Sequence, residues 1–231
     1  MRLLLASLAL ILLAACGGEM DASPRRSDGV PLLAMLAAPD GAGTRELRAG
    51  RVSDARALLE SSLTDDPDRV AALNDLAVSY YLEERVGAAR QLYEEVLARG
   101  GAREQLAALV NLAELYALDG SAAAAAAHLD AARAIDPARP EPIYALATLA
   151  DASGDEVRAQ ALLREALQRD EGGAARRDLA FAYPEERLHL EALVAEAAGD
   201  VAGAEERWRA LVAGRFPALA AAARRHLAEA P

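Results

Sequence analysis

Apolar residues recur along this chain at the three- and four-residue spacing of an amphipathic helix, and pairs of such segments return about every 34 residues. A short turn joins the two segments of each pair, and Asp66-Pro67 and Asp136-Pro137 follow the second segment of two pairs. Proline cannot continue the helical hydrogen-bond ladder, so each Asp-Pro marks a helix end. The pattern predicts an all-α fold in which helix–turn–helix repeats stack into a solenoid.

Three copies of the repeat follow one another, over residues 70–103, 106–139 and 140–173. A half copy precedes them and provides one convincing helix, residues 53–64, so the repeat domain is predicted to begin near residue 44. Small residues occupy two equivalent positions in the three copies, one in each helix: Ala77, Ala113 and Ala147, then Ala89, Ala125 and Ala159. Two further equivalent positions are apolar: Leu76, Leu112 and Leu146, then Tyr93, Leu129 and Leu163.

These positions resemble the pattern of tetratricopeptide repeats, in which small residues stand where two helices approach closely. The resemblance covers residues 44–173 and implies a solenoid of this type. The register breaks after residue 173, and a weaker fourth copy follows, with Ala204 as its small residue and Trp208 expected in the core. The end of a solenoid must cover an apolar face, so residues 174–231 are predicted to form a degenerate repeat and a capping helix.

The first fifteen residues are predicted to be a signal peptide, because Leu3–Leu13 is an apolar run too short to span a bilayer. The next element, Leu13-Ala14-Ala15-Cys16, resembles the lipobox of bacterial lipoproteins, which implies cleavage before Cys16 and lipidation of that residue. An ordinary signal peptide that happens to contain a cysteine is the alternative. Gly17 follows in place of the aspartate of inner-membrane retention signals, which favours an outer-membrane location facing the periplasm.

Residues 16–43 are predicted to be a flexible tether, because glycine, proline, serine and aspartate are scattered through them with little periodicity. Within the tether, Pro31 and Pro39 bracket a short stretch that has room for one helical turn. The tether is long enough to reach the solenoid, and the sequence leaves open whether it occupies the groove of the solenoid.

Composition and motifs argue against several classes of function. The formal net charge is −11, and no basic stripe is present, so nucleic acid is a poor candidate partner. The histidines, His128, His189 and His226, have no metal-ligand spacing, and no phosphate loop or nucleophile elbow occurs. We therefore predict no enzyme activity, no cofactor and no metal site. An unrecognised active site in residues 174–187 is a rival interpretation, although a charged linker explains that segment better.

The tetratricopeptide resemblance implies that the first helix of each repeat lines a concave groove. The residues that it assigns to a partner-binding groove are Asn74, Val78, Tyr81, Glu114, Leu118, Tyr144, Thr148 and Asp151. Tyr81 and Tyr144 are the predicted anchors, since tyrosine gives a large contact area at low entropic cost. Two alternatives stay open: Tyr80 takes the groove position of its neighbour, or Tyr144 packs between helices. The apolar lining with scattered carboxylates predicts an envelope protein or peptide segment with apolar and basic residues as partner.

Together these features predict a lipid-anchored adaptor or assembly scaffold in the bacterial cell envelope, with pilus or secretion-complex assembly as candidate settings. Several lipoprotein families resemble this plan, and fold by itself does not choose among them. The alternative is a receptor-type lipoprotein that binds a small ligand or glycan fragment. Aromatic residues make up only 4% of the chain, which argues against a pocket of stacked aromatic rings.

Overall fold

Twelve helices and one two-stranded sheet make up the computed structural model, which describes residues 29–38 and 41–229. Helices α1 to α6 are Ala42–Arg48, Val52–Asp65, Val70–Leu82, Val86–Arg99, Ala102–Leu118 and Ala122–Ile135. Helices α7 to α12 are Glu141–Ala152, Glu156–Arg169, Ala174–Arg177, Pro184–Ala197, Val201–Val212 and Pro217–Glu229. Strands β1 (Ala34–Met35) and β2 (Leu179–Ala180) pair antiparallel, with Ala34 opposite Ala180.

The helices form five antiparallel pairs, α1/α2, α3/α4, α5/α6, α7/α8 and α10/α11, that stack in chain order. The first helices of successive pairs also contact one another, so they form one continuous inner face. The predicted all-α solenoid is confirmed. The half copy has a first helix after all, α1, whose seven residues are too few to show a periodic pattern. The last helix, α12, packs on α11 and α7 and closes the stack as the predicted cap.

The equivalent small residues lie where the helices of each pair touch. Ala77, Ala113, Ala147, Ala89 and Ala125 have no exposed surface, and Ala159 is buried as well. The apolar residues at the other two equivalent positions, from Leu76 to Leu163, are also buried, and so is Trp208. Protein interiors are close-packed, so these sites leave no room for larger side chains. The repeat pattern thus located the contacts between helices correctly.

The ends of the second helices are joined to the next repeat by a recurring contact. After α2, the carboxylate of Asp66 accepts a hydrogen bond from the backbone N–H of Asp68 at 3.2 Å. Arg99, at the end of α4, donates to the carbonyl of Pro67 at 2.6 Å. The corresponding residues two repeats later are Asp136, Ala138, Arg169 and Pro137. Asp-Pro therefore ends a helix and also provides the acceptor that fixes the following repeat.

The turn between the two helices of a pair requires a left-handed residue in every pair. Four pairs use glycine there, with φ between 74° and 83°: Gly50, Gly120, Gly154 and Gly199. In the α3/α4 turn the same position is occupied by Glu84, with φ 64°. A left-handed backbone costs an ordinary residue about 1–2 kcal/mol, because its Cβ crowds the following carbonyl oxygen. The α3/α4 turn is therefore strained.

We expect Glu84→Gly to stabilise the fold by about 1 kcal/mol relative to Glu84→Ala, measured by urea unfolding. Both variants remove the side chain and its interactions, and only glycine relieves the backbone. The reverse change, Gly120→Ala, should destabilise by a similar amount, since no atom lies within 4 Å of the added Cβ and only the backbone conformation matters. Equal stabilities of the two Glu84 variants would contradict the strain argument.

Residues 29–38 correct the interpretation of the whole of residues 16–43 as a flexible tether. In the structure they are extended, and nearly all of them are buried against the inner face of the solenoid. The physical reason is their composition: from Val30 to Ala38 the segment has no polar side chain, so burial stabilises it more than solvation does. We call residues 29–38 the groove segment. The predicted signal peptide and Cys16 lie outside the described residues.

Candidate functional site

The groove segment lies along the inner face and is bound mainly through its backbone. The N–H of Met35 donates to the side-chain oxygen of Asn111 at 2.7 Å. The carbonyl of Met35 accepts from the side-chain amides of Asn111 at 3.0 Å and Asn74 at 3.1 Å. The carboxylate of Asp75 accepts from the N–H groups of Ala37 at 2.7 Å and Ala38 at 3.3 Å. Three side chains of α3 and α5 thus bind main-chain groups that any extended peptide carries.

The first half of the segment is held in the same way. Glu114 accepts hydrogen bonds from the N–H groups of Leu32, at 2.5 Å, and Leu33. The N–H of Val30 donates to the carbonyl of Ala117 at 3.0 Å, and β1 pairs with β2 further along. Gly29 lies so close to α5 that a Cβ there would be 2.0 Å from the carbonyl oxygen of Leu118. The inner face therefore accepts a strand at close range.

The side chains of the groove segment complete both hydrophobic cores of the solenoid. Ala34 and Leu36 belong to the cluster formed by α1 to α5. Leu32, Leu33 and Met35 belong to the cluster that continues through α6 to α12. Leu33 is 1% exposed and Ala34 has no exposed surface, so these side chains are as buried as any in the core. Backbone hydrogen bonds and apolar burial together hold the segment.

Below the segment, two buried carboxyl groups meet at one tyrosine hydroxyl. The hydroxyl of Tyr81 lies 2.5 Å from Glu114 Oε1 and 2.9 Å from Glu186 Oε1. A phenol has one proton to donate, so one of the two carboxyl groups must carry a proton and donate it to the Tyr81 oxygen. Each carboxyl group also accepts two backbone N–H bonds, so these bonds do not decide which of the two carries the proton. The three groups thus share one proton beyond that of the phenol.

The electrostatics of the pair agree with this arrangement. Burial raises the pKa of Glu114 to about 8, against the opposing effect of its hydrogen bonds with Tyr81 and Leu32. Burial, together with the nearby charge of Glu114, raises the pKa of Glu186 well above its usual value. Unfolded carboxyl groups of this type titrate near pH 4.3. At these two sites the folded protein therefore binds more protons than the unfolded chain above that pH.

This difference predicts a pH dependence of stability. Because the pKa values of Glu114 and Glu186 are raised, the contribution of the pair is complete below about pH 4.3, and the part that belongs to Glu114 is lost as the pH rises through about 8. We expect Glu186→Gln to flatten the decline between these values, since its amide donates to Tyr81 without a titratable proton. Urea unfolding at a series of pH values measures the slope. The exposed Glu206→Gln is the matched control, and equal slopes in both variants would refute the shared proton.

Three of the eight residues predicted to line the groove bind or closely approach the backbone of the groove segment. They are Asn74 and Glu114 through their side chains and Leu118 through its carbonyl. Val78 lies in the core of the first repeats. Thr148 is buried too, and its hydroxyl donates within its own helix, to Ala145 at 3.0 Å. The segment accordingly lies over the first two full copies and not along the whole predicted lining.

The two predicted tyrosine anchors are not available to a partner. Tyr81 is 2% exposed and is engaged with the two carboxyl groups, whereas its neighbour Tyr80 is partly exposed and donates to Glu60 at 3.2 Å. Tyr144 has no exposed surface, and its hydroxyl donates to Asp170 at 3.1 Å. Both rings pack between helices because the stacked repeats close over them. For Tyr144 this is the alternative that the sequence left open.

Asp151, the last residue of the predicted lining, belongs to a separate polar cluster under the cap. Its carboxylate lies 2.7 Å from Nε2 of His189 and 2.8 Å from Nε2 of His226. The ring of His226 stacks on Trp208 at 4.2 Å, and its Nδ1 lies 3.0 Å from Glu196. The cluster joins α7, α10, α11 and α12. Among the described residues, no group of histidine, cysteine, aspartate and glutamate side chains is arranged to hold a metal ion.

Sequence reasoning missed Asp75 and Asn111, the groove segment that they bind, and Glu186, which meets Tyr81. Two signals were present in the chain. Asp75 and Asn111 are polar residues flanked by apolar residues in two first helices, where an unpaired buried polar group is costly. Val30 to Ala38 is an unbroken run without a polar side chain in a stretch otherwise typical of a solvated linker. Neither signal by itself indicated that the apolar run binds to the first helices; only the two together suggest that contact.

With the geometry established, comparison with known proteins supports the repeat assignment. The tetratricopeptide repeat model matches residues 41–104 and 84–140. Together the matches span 100 of the 231 residues and agree with the repeat pattern of the helices. No curated protein matches the chain. No helix among residues 29–38 and 41–229 has both the length and the apolar character needed to cross a membrane.

Solved structures with similar folds are distant in sequence. In the APC/C hetero-tetramer Cut9–Hcn1, the matching chain is 17% identical with a TM-score of 0.55, and the match covers 78% of this chain but 32% of that one. The present protein thus spans about a third of its length, and the likeness supports the fold alone. MamA is 16% identical over 83% of this chain and 99% of its own, with a TM-score of 0.44. PilW, described as a type IV pilus biogenesis factor, is 18% identical over 78% and 94%, with a TM-score of 0.37.

Proposed function

We propose that this protein is a membrane-anchored adaptor or assembly scaffold of the bacterial cell envelope, which binds a partner protein through an extended segment. One observation carries the proposal: the inner face binds an extended segment by its backbone, through Asn74, Asp75, Asn111 and Glu114. Such backbone binding combined with apolar pockets is a general mode of peptide recognition. Tetratricopeptide repeats provide the rigid surface that this mode requires.

The anchoring part of the proposal rests on the N-terminal sequence. Cys16 is the only cysteine of the chain and follows an apolar run in the lipobox pattern. We propose that its lipid holds the protein on a membrane, with the periplasmic face of the outer membrane as the site. Cys16→Ser should release the protein from the membrane fraction or stall its processing. A variant that matures normally and stays bound would refute the lipid anchor.

The partner chemistry follows from what the groove segment engages. The sequence suggested basic residues in the partner, to pair with carboxylates of the lining. In the structure, Asp75 and Glu114 accept backbone N–H groups instead, and the segment that they bind has no charge. A basic side chain would have to be desolvated there without a free carboxylate to pair with it. We therefore propose an uncharged, mainly apolar segment of an envelope protein as the partner.

The experiment is crosslinked capture from detergent-solubilised envelopes, comparing three forms of the protein. Asn111→Leu keeps the approximate side-chain size and removes both hydrogen bonds to the bound backbone. Glu94→Ala changes an exposed residue of α4 and is the control. We expect wild type and Glu94→Ala to capture the same partner and Asn111→Leu to lose it while keeping its helical circular-dichroism spectrum. Equal capture by all three would place binding elsewhere, and capture by none would favour the small-ligand receptor.

A further inference from the structure

We propose that the groove segment is an intramolecular competitor, and that the partner binds by replacing it with an extended segment of the same chemistry. This inference rests on the proposed function and specifies what occupies the groove before a partner binds. The replacing segment is uncharged and mainly apolar, with glycine at the position of Gly29 and small residues at the positions of Ala34 and Ala37. Three features of the described residues carry the argument.

The first feature is the generality of the contacts. The amides of Asn74 and Asn111 and the carboxylates of Asp75 and Glu114 meet only main-chain groups of the groove segment. Hydrogen bonds of this kind carry no information on side-chain identity, so a segment from another protein can make the same set. Exchange of one segment for another is therefore isoenergetic in its polar part, and the apolar fit decides which segment binds.

The second feature is the cost of an empty groove. Asn74 and Asp75 have no exposed surface, and Asn111 and Glu114 are 1% exposed. The groove segment makes seven hydrogen bonds with these four groups, and their other hydrogen bonds join them to Thr44, to Tyr81 and to one another. Without a bound segment, the apolar side chains of both cores that it packs against would be exposed to water, which is unfavourable. The groove is thus built to be occupied, by its own segment or by another.

The third feature is the shape that the groove requires of its occupant. A side chain at position 29 would collide with the backbone of α5, since its Cβ would lie 2.0 Å from the Leu118 carbonyl oxygen. Ala34 and Ala37 are at most 1% exposed, so no larger side chain fits at either position. Pro31 fits because the N–H groups of its two neighbours, Val30 and Leu32, make the hydrogen bonds on either side. These requirements define a partner motif.

Linkage gives the groove segment an advantage that a partner must overcome. A segment joined to its site by a short chain has an effective concentration in the millimolar range. A free peptide with the same sequence therefore competes poorly against the segment of the intact protein. Weakening the internal segment by one substitution should expose the groove to the free peptide, and locking the segment in place should exclude it.

The probe is a fluorescent synthetic peptide with the sequence of residues 29–38, titrated into the full-length chain carrying Cys16→Ser. In this background, Gly29→Val should raise the affinity for the peptide at least tenfold by expelling the start of the internal segment. Gly87→Val is the matched control, since its Cβ would meet nothing within 4 Å, and it should leave the weak binding of the parent unchanged. A peptide that itself carries Gly29→Val should bind at least tenfold more weakly.

A second variant tests the same inference by locking the segment in place. Met35 and Leu179 face each other across the β1–β2 pair and pack in the same cluster, so Met35→Cys with Leu179→Cys is placed to form a disulfide. Combined with Gly29→Val, the oxidised form should bind the peptide at least tenfold more weakly than the reduced form. Equal binding by both forms, or no gain from Gly29→Val, would overturn the inference.

The same disulfide variant distinguishes failure of this inference from failure of the proposed function. If the oxidised protein still captures the partner from envelopes, the segment does not compete with the partner, while the adaptor function stands. If the peptide exchanges as expected but no form of the protein captures a partner, the adaptor function is wrong and the exchange stands.

Discussion

Replacing Asp151 with asparagine should lower the free energy of unfolding by about 3 kcal/mol and loosen the cap helix α12. The carboxylate of Asp151 is 1% exposed and bonds His189 on α10 and His226 on α12. Asparagine keeps the shape but removes the charge, so His226, whose pKa is raised, loses one of its two carboxylate partners and His189 loses a charged acceptor. Removing one partner of a buried charged pair costs more than the pair contributes, because the other partner stays desolvated.

The pKa values of the cluster define the pH range in which the cap is most stable. Burial acts to raise the pKa of Asp151, but hydrogen bonds from His189 and His226 outweigh it, so the pKa lies below its usual value. Burial acts to lower the pKa of His226, but hydrogen bonds to Asp151 and Glu196 outweigh it and raise the pKa to about 10. The Asp151 contribution is lost as the pH falls below about 4. The His226 contribution is complete below about pH 6.5 and is lost as the pH rises through about 10.

Urea unfolding gives the stability of Asp151→Asn, and hydrogen exchange of the backbone amides of α12 reports the loosening of the cap. Asp130→Asn, on the exposed surface of α6, is the control and should change neither by more than about 0.5 kcal/mol. An Asp151→Asn variant that is as stable as the control would show that the cluster does not hold the cap.

Replacing Glu114 with alanine is the second change with a large expected effect, about 3 kcal/mol of unfolding free energy and loss of the groove segment. Three donors lose their acceptor at once: the N–H groups of Leu32 and Leu33 and the hydroxyl of Tyr81. A buried donor without an acceptor costs about 1–3 kcal/mol. Glu114→Gln keeps one acceptor oxygen and should lose about half as much.

Hydrogen exchange separates the local effect from the global one. In Glu114→Ala, the amides of Leu32, Leu33 and Met35 should lose protection well before those of the second helices, because the segment detaches while the repeats stay folded. Glu94→Ala, an exposed glutamate on α4, should leave every amide as in wild type. Unchanged protection of Leu32 in Glu114→Ala would contradict the role given to this carboxylate.

Much of the fold followed from local pattern. Ala113 and Ala125 marked the close contact of α5 with α6, and Asp136-Pro137 marked the end of α6, because small residues, apolar spacing and proline act within a few residues of themselves. The candidate site followed only in part. Asn74 and Glu114 were placed on the inner face, but the roles of Tyr81 and Tyr144 were not predictable, since one helical position separates a groove residue from a core residue.

The sequence by itself determined that this chain forms helical repeats with a cap, and that an apolar N-terminal run precedes a lone cysteine. The tertiary structure decided what fills the groove. Leu32 meets Glu114 across 82 positions of the chain, and Met35 meets Asn111 across 76. A periodic sequence pattern does not predict such long-range contacts. An apolar run is stabilised by burial and a buried amide by a hydrogen-bond partner, but many different pairings would meet each condition separately. Stacking of the repeats places apolar surface and buried polar side chains on one inner face, and the groove segment covers the first and binds the second.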